Sequence, residues 1–479
     1  MSKPKQQSDT NNQPGPKVAH RKRIRQQQQQ TPSVYQPNAA GIDIGAREIY
    51  VAVPTDRDEH PVRKCGTFTS DLHQMAEWLV SCGITTAAME STGAYWIPVY
   101  DVLEQHGIQV CLVNPRNMKK VPGKRTDFHE CQWIQHLHAL GLLHAAFRPE
   151  GEVCAVRALM RHRNDLVQMA SQHVQHMQKA LTQMNVQIQH VISDITGLTG
   201  LAILDAIVAG ERDPAVLAKL RDPRIKASEE TIRKSLEGNW RTEHILVLKQ
   251  RLSLYRSYRD EISDCDREIE RFIAAFEPRV DPEEKPLPED RKQQQRRRRK
   301  KSGDPDFNMR TEAYKLFGVD LTQIPGLMML VFILFSEVGR DMSRWPTAAH
   351  FVSWLGLCPD NDISGGKVLW RGSRRTKNRA GTVFRLAAHS LHHNQTPMGD
   401  YLRRMKAKKG PAAATTATAH KIAIIFYTMV KNQVEFDLSL WAKRDALREK
   451  RLEARLRKQA TLRGYKLVPL EETATRVSD

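Results

Sequence analysis

Apolar positions change their period several times along this chain, and each change marks a boundary. Residues 1–38 show no apolar period: the segment is Lys, Arg, Gln, Pro, Asn and Ser, with a run of five glutamines. Such a sequence buries too little apolar surface to offset the entropy of ordering, so a disordered basic arm is expected. From residue 40 to 147, short β-rich runs alternate with helical stretches, the pattern of an α/β unit. Strands are predicted over 40–44, 49–53, 63–67, 85–89 and 108–113, with helices over 72–81 and 95–106 and a further one from about Asp127. In this β-β-β-α-β-α-β-α order, three strands joined by short turns precede the helical crossovers. A dinucleotide-binding unit would instead begin β-α-β around a glycine-rich turn.

Between about 155 and 276 the spacing lengthens to three and four. One stripe runs through Ala170, Val174, Met177, Leu181, Met184, Ile188 and Val191, and a second through Tyr255, Tyr258, Ile262, Cys265, Ile269, Phe272 and Phe276. Each covers about three heptads, which suits paired helices or a coiled coil and equally suits plain bundle core. Residues 278–310 turn from Pro and Glu to Arg, and 291–301 reads RKQQQRRRRKK, eight basic residues in eleven. A disordered insertion is expected there, either gripping phosphates or acting as a solvated linker. The organisation read from these shifts is a basic arm (1–38), an α/β domain (39–150) and a helical or coiled-coil region (151–277). A polybasic insertion (278–310), a mainly α C-terminal domain (311–436) and a charged helix with its tail (437–479) follow.

Composition narrows the class. A chain of 479 residues is long enough for two or three domains with sizeable cores. Lys and Arg number 74 against 54 Asp and Glu, a formal net charge of +20, which points to a polyanionic partner. The seven cysteines are scattered and form no C-x-x-C pair, which argues against a disulfide scaffold and a Cys-based zinc site. The longest apolar run, residues 327–335, is about half of the roughly 20 residues a spanning helix needs. The polar N-terminus shows no secretory signal. A cytoplasmic, nucleic-acid-binding protein with no membrane association is expected, nucleoid-associated when acting.

Four acids stand out in the α/β domain. Asp43 lies in GIDIG, an apolar strand in which a carboxylate must be paired or bind metal. Glu90 ends a second apolar strand, TTAAME, before a turn of Ser91, Thr92 and Gly93. Asp127 and Glu130 fall in the first turn of one helix if Thr126 caps it. Converging, these oxygens suit Mg²⁺-assisted phosphoryl transfer. Spacing alone leaves a plainer account open, since acids favour a helix's first turn through its dipole and Glu90 suits a strand end.

Ser364 sits in DISGG, where two glycines allow close approach of a nucleic-acid backbone. Lys367, Arg371, Arg374, Arg375, Lys377 and Arg379 follow within fifteen residues. A serine attacking a phosphodiester needs such charge stabilisation, yet a Ser-Gly-Gly turn is more often only a loop, and the basic run by itself favours phosphate binding over catalysis. His389, His392 and His393, like His129, His136 and His138, lack Cys partners or an H-E-x-x-H pattern and read as core or surface histidines. Trp345, Trp354 and Trp370 could stack on bases, with core packing favoured.

The segments GIDIGAREIYVAVP, AMESTGAYW, VNPRNMKKVPGKRTD and CQWIQHLHALGLL, in that order, resemble the first domain of insertion-sequence transposases with a RuvC-like DEDD domain, also called bridge recombinases. IPGLMMLVFILFSEVG and FVSWLGLCPDNDISGGKVLWRGSRRTKNRAG resemble the family's C-terminal serine transposase domain. The resemblance implies an RNase H-like N-terminal domain in which Asp43, Glu90, Asp127 and Glu130 bind Mg²⁺, with Glu130 standing where the family usually carries Asp. It implies that Ser364 is the nucleophile, linked covalently to DNA during strand exchange. Lys124 and Arg125, in the GKRTD segment, join the basic run after Ser364 as nucleic-acid contacts. The partners implied are donor and target DNA, a structured non-coding guide (bridge) RNA, and copies of the same chain assembled as a dimer of dimers. Two rivals remain at this level: a metal-dependent nuclease using the acids alone, and a non-catalytic RNA- or DNA-binding scaffold.

Overall fold

The computed structural model describes residues 34–91, 93–114, 127–288, 305, 307–370, 372, 378–437 and 439–468. The chain divides into two compact units between Arg148 and Pro149.

The first unit is built on five strands: β1 (Ala39–Ile44), β2 (Ile49–Ala52), β3 (Val62–Cys65), β4 (Thr86–Glu90) and β5 (Gln109–Val113). Their order in the sheet is β3-β2-β1-β4-β5. β1, β2 and β3 pair antiparallel, whereas β4 lies parallel to β1 and β5 parallel to β4. Each parallel step needs a crossover, supplied by α1 (Thr69–Ser81) and α2 (Trp96–Gln105). This is the RNase H-like topology. Strand bounds lie within two residues of the expected ones; α1 begins three residues earlier, at Thr69, where the Asp71 carboxylate accepts the Phe68 N–H at 3.2 Å and closes the first turn.

Period two along the strands sorts the side chains. Ala40, Ile42, Ala87, Met89 and Leu112 enter the main core under α1 and α2 with Leu72, Met75, Leu79 and Leu103. The other face, with Ala88 and Val113, meets Ile134 of α3 (Asp127–Ala139). The edge strand β3 carries Arg63 and Lys64 near its middle, charges that discourage edge-to-edge pairing.

The second unit is mostly helical. Two 33-residue helices, α4 (Gly151–Gln183) and α8 (Thr242–Ala274), pack along each other, each about 50 Å long. Contacts of Leu159 with Cys265 and of His173 with Tyr258 show that the pair is antiparallel. Ala170, Met177, Leu181, Tyr255, Ile262, Cys265 and Ile269 of the two stripes are buried, so the pairing partners are segments of one chain. The first stripe outruns its helix: Asn185 turns to φ 57° after Gln183, leaving Ile188 in a separate 3₁₀ turn and Val191 at its end. Inside the pair, the buried Arg163 guanidinium and Asp266 carboxylate form two hydrogen bonds; a charge buried there is tolerable only because it is matched. Shorter helices α5 (Leu198–Ala209), α6 (Pro214–Ala218) and α7 (Glu229–Ser235) join the two.

Beyond them come α9 (Met309–Phe317), α10 (Val331–Val338) and α11 (Ala348–Trp354), then strands β6 (Asp362–Ser364) and β7 (Lys367–Trp370). Helices α12 (Arg379–Ser390), α13 (Pro397–Lys409), α14 (Pro411–Asn432) and α15 (Ser439–Leu462) follow among the described residues. Phe351, Phe384 and Phe426 are fully buried and in mutual ring contact around α14. Arg161 of α4 grips Glu337 of α10 through two bonds of 2.9 and 2.8 Å. Gly326, φ +90°, permits close packing on α12: a Cβ there would lie 2.4 Å from the Ala387 carbonyl oxygen. Its IPG turn is therefore packed against a helix. All seven cysteines are free thiols. Among the described residues, no helix is long and apolar enough to cross a membrane.

Candidate catalytic site

Asp43 and Glu90 reach one end of the sheet by register. Ile42 pairs with Met89 across the parallel β1–β4 ladder, so the next residues on, Asp43 and Glu90, lie side by side where both strands end. By alternation both point to the α3 side, since Ile42 and Met89 enter the opposite core. Asp127 and Glu130 occupy the first turn of α3, and packing carries them to the same end.

Gly41 makes that packing possible. A Cβ at residue 41 would lie 2.2 Å from both the Cys131 carbonyl oxygen and the Gln135 backbone nitrogen, so the helix rests directly on the strand backbone. Gln135 donates to the Ala39 carbonyl at 3.2 Å, and His138 hydrogen-bonds the Thr86 hydroxyl at 2.9 Å. These contacts fix α3 antiparallel to β1. From Gly41 to Asp43 the strand advances about 6.6 Å, and from Cys131 back to Asp127 the helix advances about 6 Å. The matched advance brings the first turn of α3 alongside Asp43.

The electrostatics register this convergence. Burial, then the carboxylates of Glu130, Asp127 and Glu90, push the Asp43 pKa up to about 6, opposed by a hydrogen bond from the Ile44 backbone N–H. Asp43, Glu90 and Glu130 are partly buried and Asp127 is exposed. Behind them Cys131 is fully buried and its thiol is pushed up to about 12, chiefly by burial, with Asp43 and Asp127 adding to it, so it remains protonated. Burial lowers His138 to about 4; this histidine is a neutral structural pin. Among the described residues, no three His, Cys, Asp or Glu side chains are gathered tightly enough to cage an ion. The acids thus share a sheet end without a closed coordination shell. Acid oxygens gathered closely enough to oppose the ionisation of Asp43 are nonetheless a donor set suited to a hard divalent cation.

Ser364 lies in the second unit, at the tip of the β6–β7 hairpin. Gly365 and Gly366 form its two-residue turn with φ of 56° and 75°, the paired positive values of a type I′ turn. The strand register sets Lys367 directly across from Ser364, and both are exposed. Arg379 opens α12 and is exposed. Lys124, Arg125, Arg371, Arg374, Arg375 and Lys377 lie outside the described residues, as do Thr126 and the 291–301 run. Trp345 is buried at 4 % exposure and meets the Trp354 ring at a tilt, centroids 4.9 Å apart, whereas Trp370 is 44 % exposed on the hairpin, contrary to the packing expected of it. Sequence reasoning missed Gly41 and the hairpin. Their signals are a glycine inside an apolar strand and a Gly-Gly pair between short β-prone runs.

The chain was then compared with known families. A DEDD-type transposase domain of the IS110 group matches residues 40–186, a span that contains all four acids. A second domain, described as transposase of the IS116/IS110/IS902 family, matches residues 320–403, which contain Ser364 and its hairpin. A search of curated proteins found no match. The DEDD domain suggests use of a divalent metal, and the family's substrate is DNA. With both domains present in order and an RNase H-like sheet in the first, the chain belongs to the IS110 family of DNA transposases.

Proposed function

We propose that this transposase cuts and rejoins donor and target DNA through a covalent serine–DNA intermediate, guided by a structured RNA of its element. The observation that supports the acidic half of this reading is the gathering of Asp43, Glu90, Asp127 and Glu130 at one end of the sheet, which with burial raises the Asp43 pKa. Asp43, Glu90, Asp127 and Glu130 would hold Mg²⁺. When bound, the cation would offset the charge of the neighbouring carboxylates on Asp43 and would stabilise charge developing on the scissile phosphate.

The Ser364 oxygen attacks phosphorus and displaces a deoxyribose oxygen. A P–O bond to serine forms as the P–O bond in the strand breaks; the serine proton is given up and the leaving oxygen is released as a hydroxyl. Attack by the hydroxyl of the exchanging strand reverses both changes and regenerates serine, so bond energy is conserved. Lys367, across the hairpin from Ser364, with Arg371, Arg374 and Arg375, balances the phosphorane charge. Lys124, Arg125, Lys377 and Arg379 hold flanking phosphates.

The formal charge of +20 supports nucleic-acid binding at large, and the family resemblance supports the guide RNA, the dimer of dimers and action at the nucleoid. It also supports a six-part organisation with 39–150 as the RuvC-like domain and 311–436 as the serine domain. Mixing the full chain with Mg²⁺, the element's flanking non-coding RNA and labelled junction DNA should give a covalent protein–DNA band that vanishes in Ser364→Ala. Free cleaved ends with no such band, unchanged by the substitution, would instead identify a carboxylate-dependent nuclease.

A further inference from the structure

The β6–β7 hairpin presents large apolar side chains to solvent: Ile363 is 62 % exposed, Leu369 71 % and Trp370 44 %. A ribbon of two short strands has no interior in which to hide them. Ladder pairing runs Ser364 to Lys367 and Ile363 to Val368, then skips to Asp362 with Trp370. Leu369 is thus the extra residue of a β-bulge, a device that re-aims a side chain. The indole of Trp370 lies over the backbone of Gly372, where a Cβ would fall 2.2 Å from the ring, and the Asp360 N–H closes the ribbon on the Gly372 carbonyl at 2.7 Å. Trp370 is therefore propped at the base of the hairpin. Because the bulge pairs it with Asp362, two residues from Ser364, it shares the ribbon face of Ser364 and Lys367.

The charge around these side chains selects their partner. From Asp360 to Arg379 the sequence carries six basic residues against two acids, Asp360 and Asp362, a net charge of +4. A protein groove accepting this tip would have to be apolar and strongly acidic at once. A DNA duplex meets both demands, with phosphates outside and the apolar faces of stacked bases within.

We propose that the hairpin is a wedge: Leu369 and Trp370 enter the base stack of the DNA and open one step beside the phosphate that Ser364 addresses. This rests on the recombinase reading above and adds a role for the hairpin's apolar residues. Opening a step loosens the strand end that must leave one duplex and pair in another.

The test uses the full chain with Mg²⁺, the flanking non-coding RNA and junction duplexes carrying 2-aminopurine at successive positions around the junction. Wild type should raise the fluorescence severalfold at one step. The exposed double variant Leu369→Ser/Trp370→Ala should lose that rise and bind roughly ten- to a hundredfold more weakly, with its salt dependence unchanged because the phosphate contacts persist. Trp370→Phe, which keeps a ring over Gly372, should retain most of the rise. If Trp370→Phe loses the rise as fully as the double variant, the indole is a strut and the wedge is overturned. A rise that survives the double variant, or no rise at any position with wild type, also overturns it. Strand joining scored on the same samples separates the two readings: joining without a rise defeats only the wedge, whereas neither joining nor a rise defeats both.

Discussion

Asp43 binds its proton more tightly in the folded chain, where its pKa is about 6, than in an unfolded one, where a carboxyl titrates near about 3.9. Its contribution to stability is therefore fully present below about pH 4 and is lost as pH rises through about 6. In EDTA, Asp43→Asn should remove this loss and stabilise the protein at pH 8 by roughly 1–2 kcal/mol after discounting for solvent screening, with little change at pH 4. Thermal melts at both pH values check the sign. Adding Mg²⁺ at pH 8 should raise the melting temperature of wild type and not of Asp43→Asn; equal shifts would place the cation elsewhere. Asp43 is legible in the sequence because an acid inside GIDIG has no apolar excuse. What its carboxyl meets is legible only through the family motifs and not from local pattern, because its neighbours come from residues 90, 127 and 130.

At the scale of elements, Gly41 controls where α3 stands. Gly41→Val would drive a branched side chain into the Cys131 carbonyl and the Gln135 backbone, and backbone cannot rotate away as a side chain can. The helix must shift, carrying Asp127 and Glu130 with it. The expected outcome is loss of DNA cutting by at least about a hundredfold, out of proportion to the change in melting temperature; cutting within a few-fold of wild type would show that the position of α3 is not critical. The five strands and α1 to α3 are readable from period and turn residues because each is a local pattern. The long helices are equally readable, but their ends are not: Asn185 adopts φ 57° and stops α4, a choice made where Val186 packs fully buried and the Met184 carbonyl accepts the Asn239 N–H at 2.7 Å. Nor does the stripe pattern say whether α4 pairs with a copy of itself or with α8. The buried Arg163–Asp266 pair selects α8, since each charge needs the other.

For the whole molecule, the +20 charge makes binding to nucleic acid a counterion-release process. Deleting residues 291–301, which hold eight basic residues, should flatten the slope of log affinity against log salt for RNA binding by several units if each side chain meets a phosphate. An unchanged slope would make the run a solvated linker.

Charge, the absence of a C-x-x-C pair, the α/β order of the first unit and the helical character of the second follow from sequence alone, because composition and period are properties of the chain read in a line. The identities of the four acids are likewise visible there through family motifs. Only the tertiary structure decided that Asp43 and Glu90 lie side by side near the ends of neighbouring parallel strands, that Gly41 lets α3 bring Asp127 and Glu130 to them, and that Ser364 and Lys367 face each other across a bulged hairpin. Strand register, close helix approach and cross-strand pairing are contacts between residues distant in sequence, or turn on a backbone angle, and no one-dimensional period encodes them.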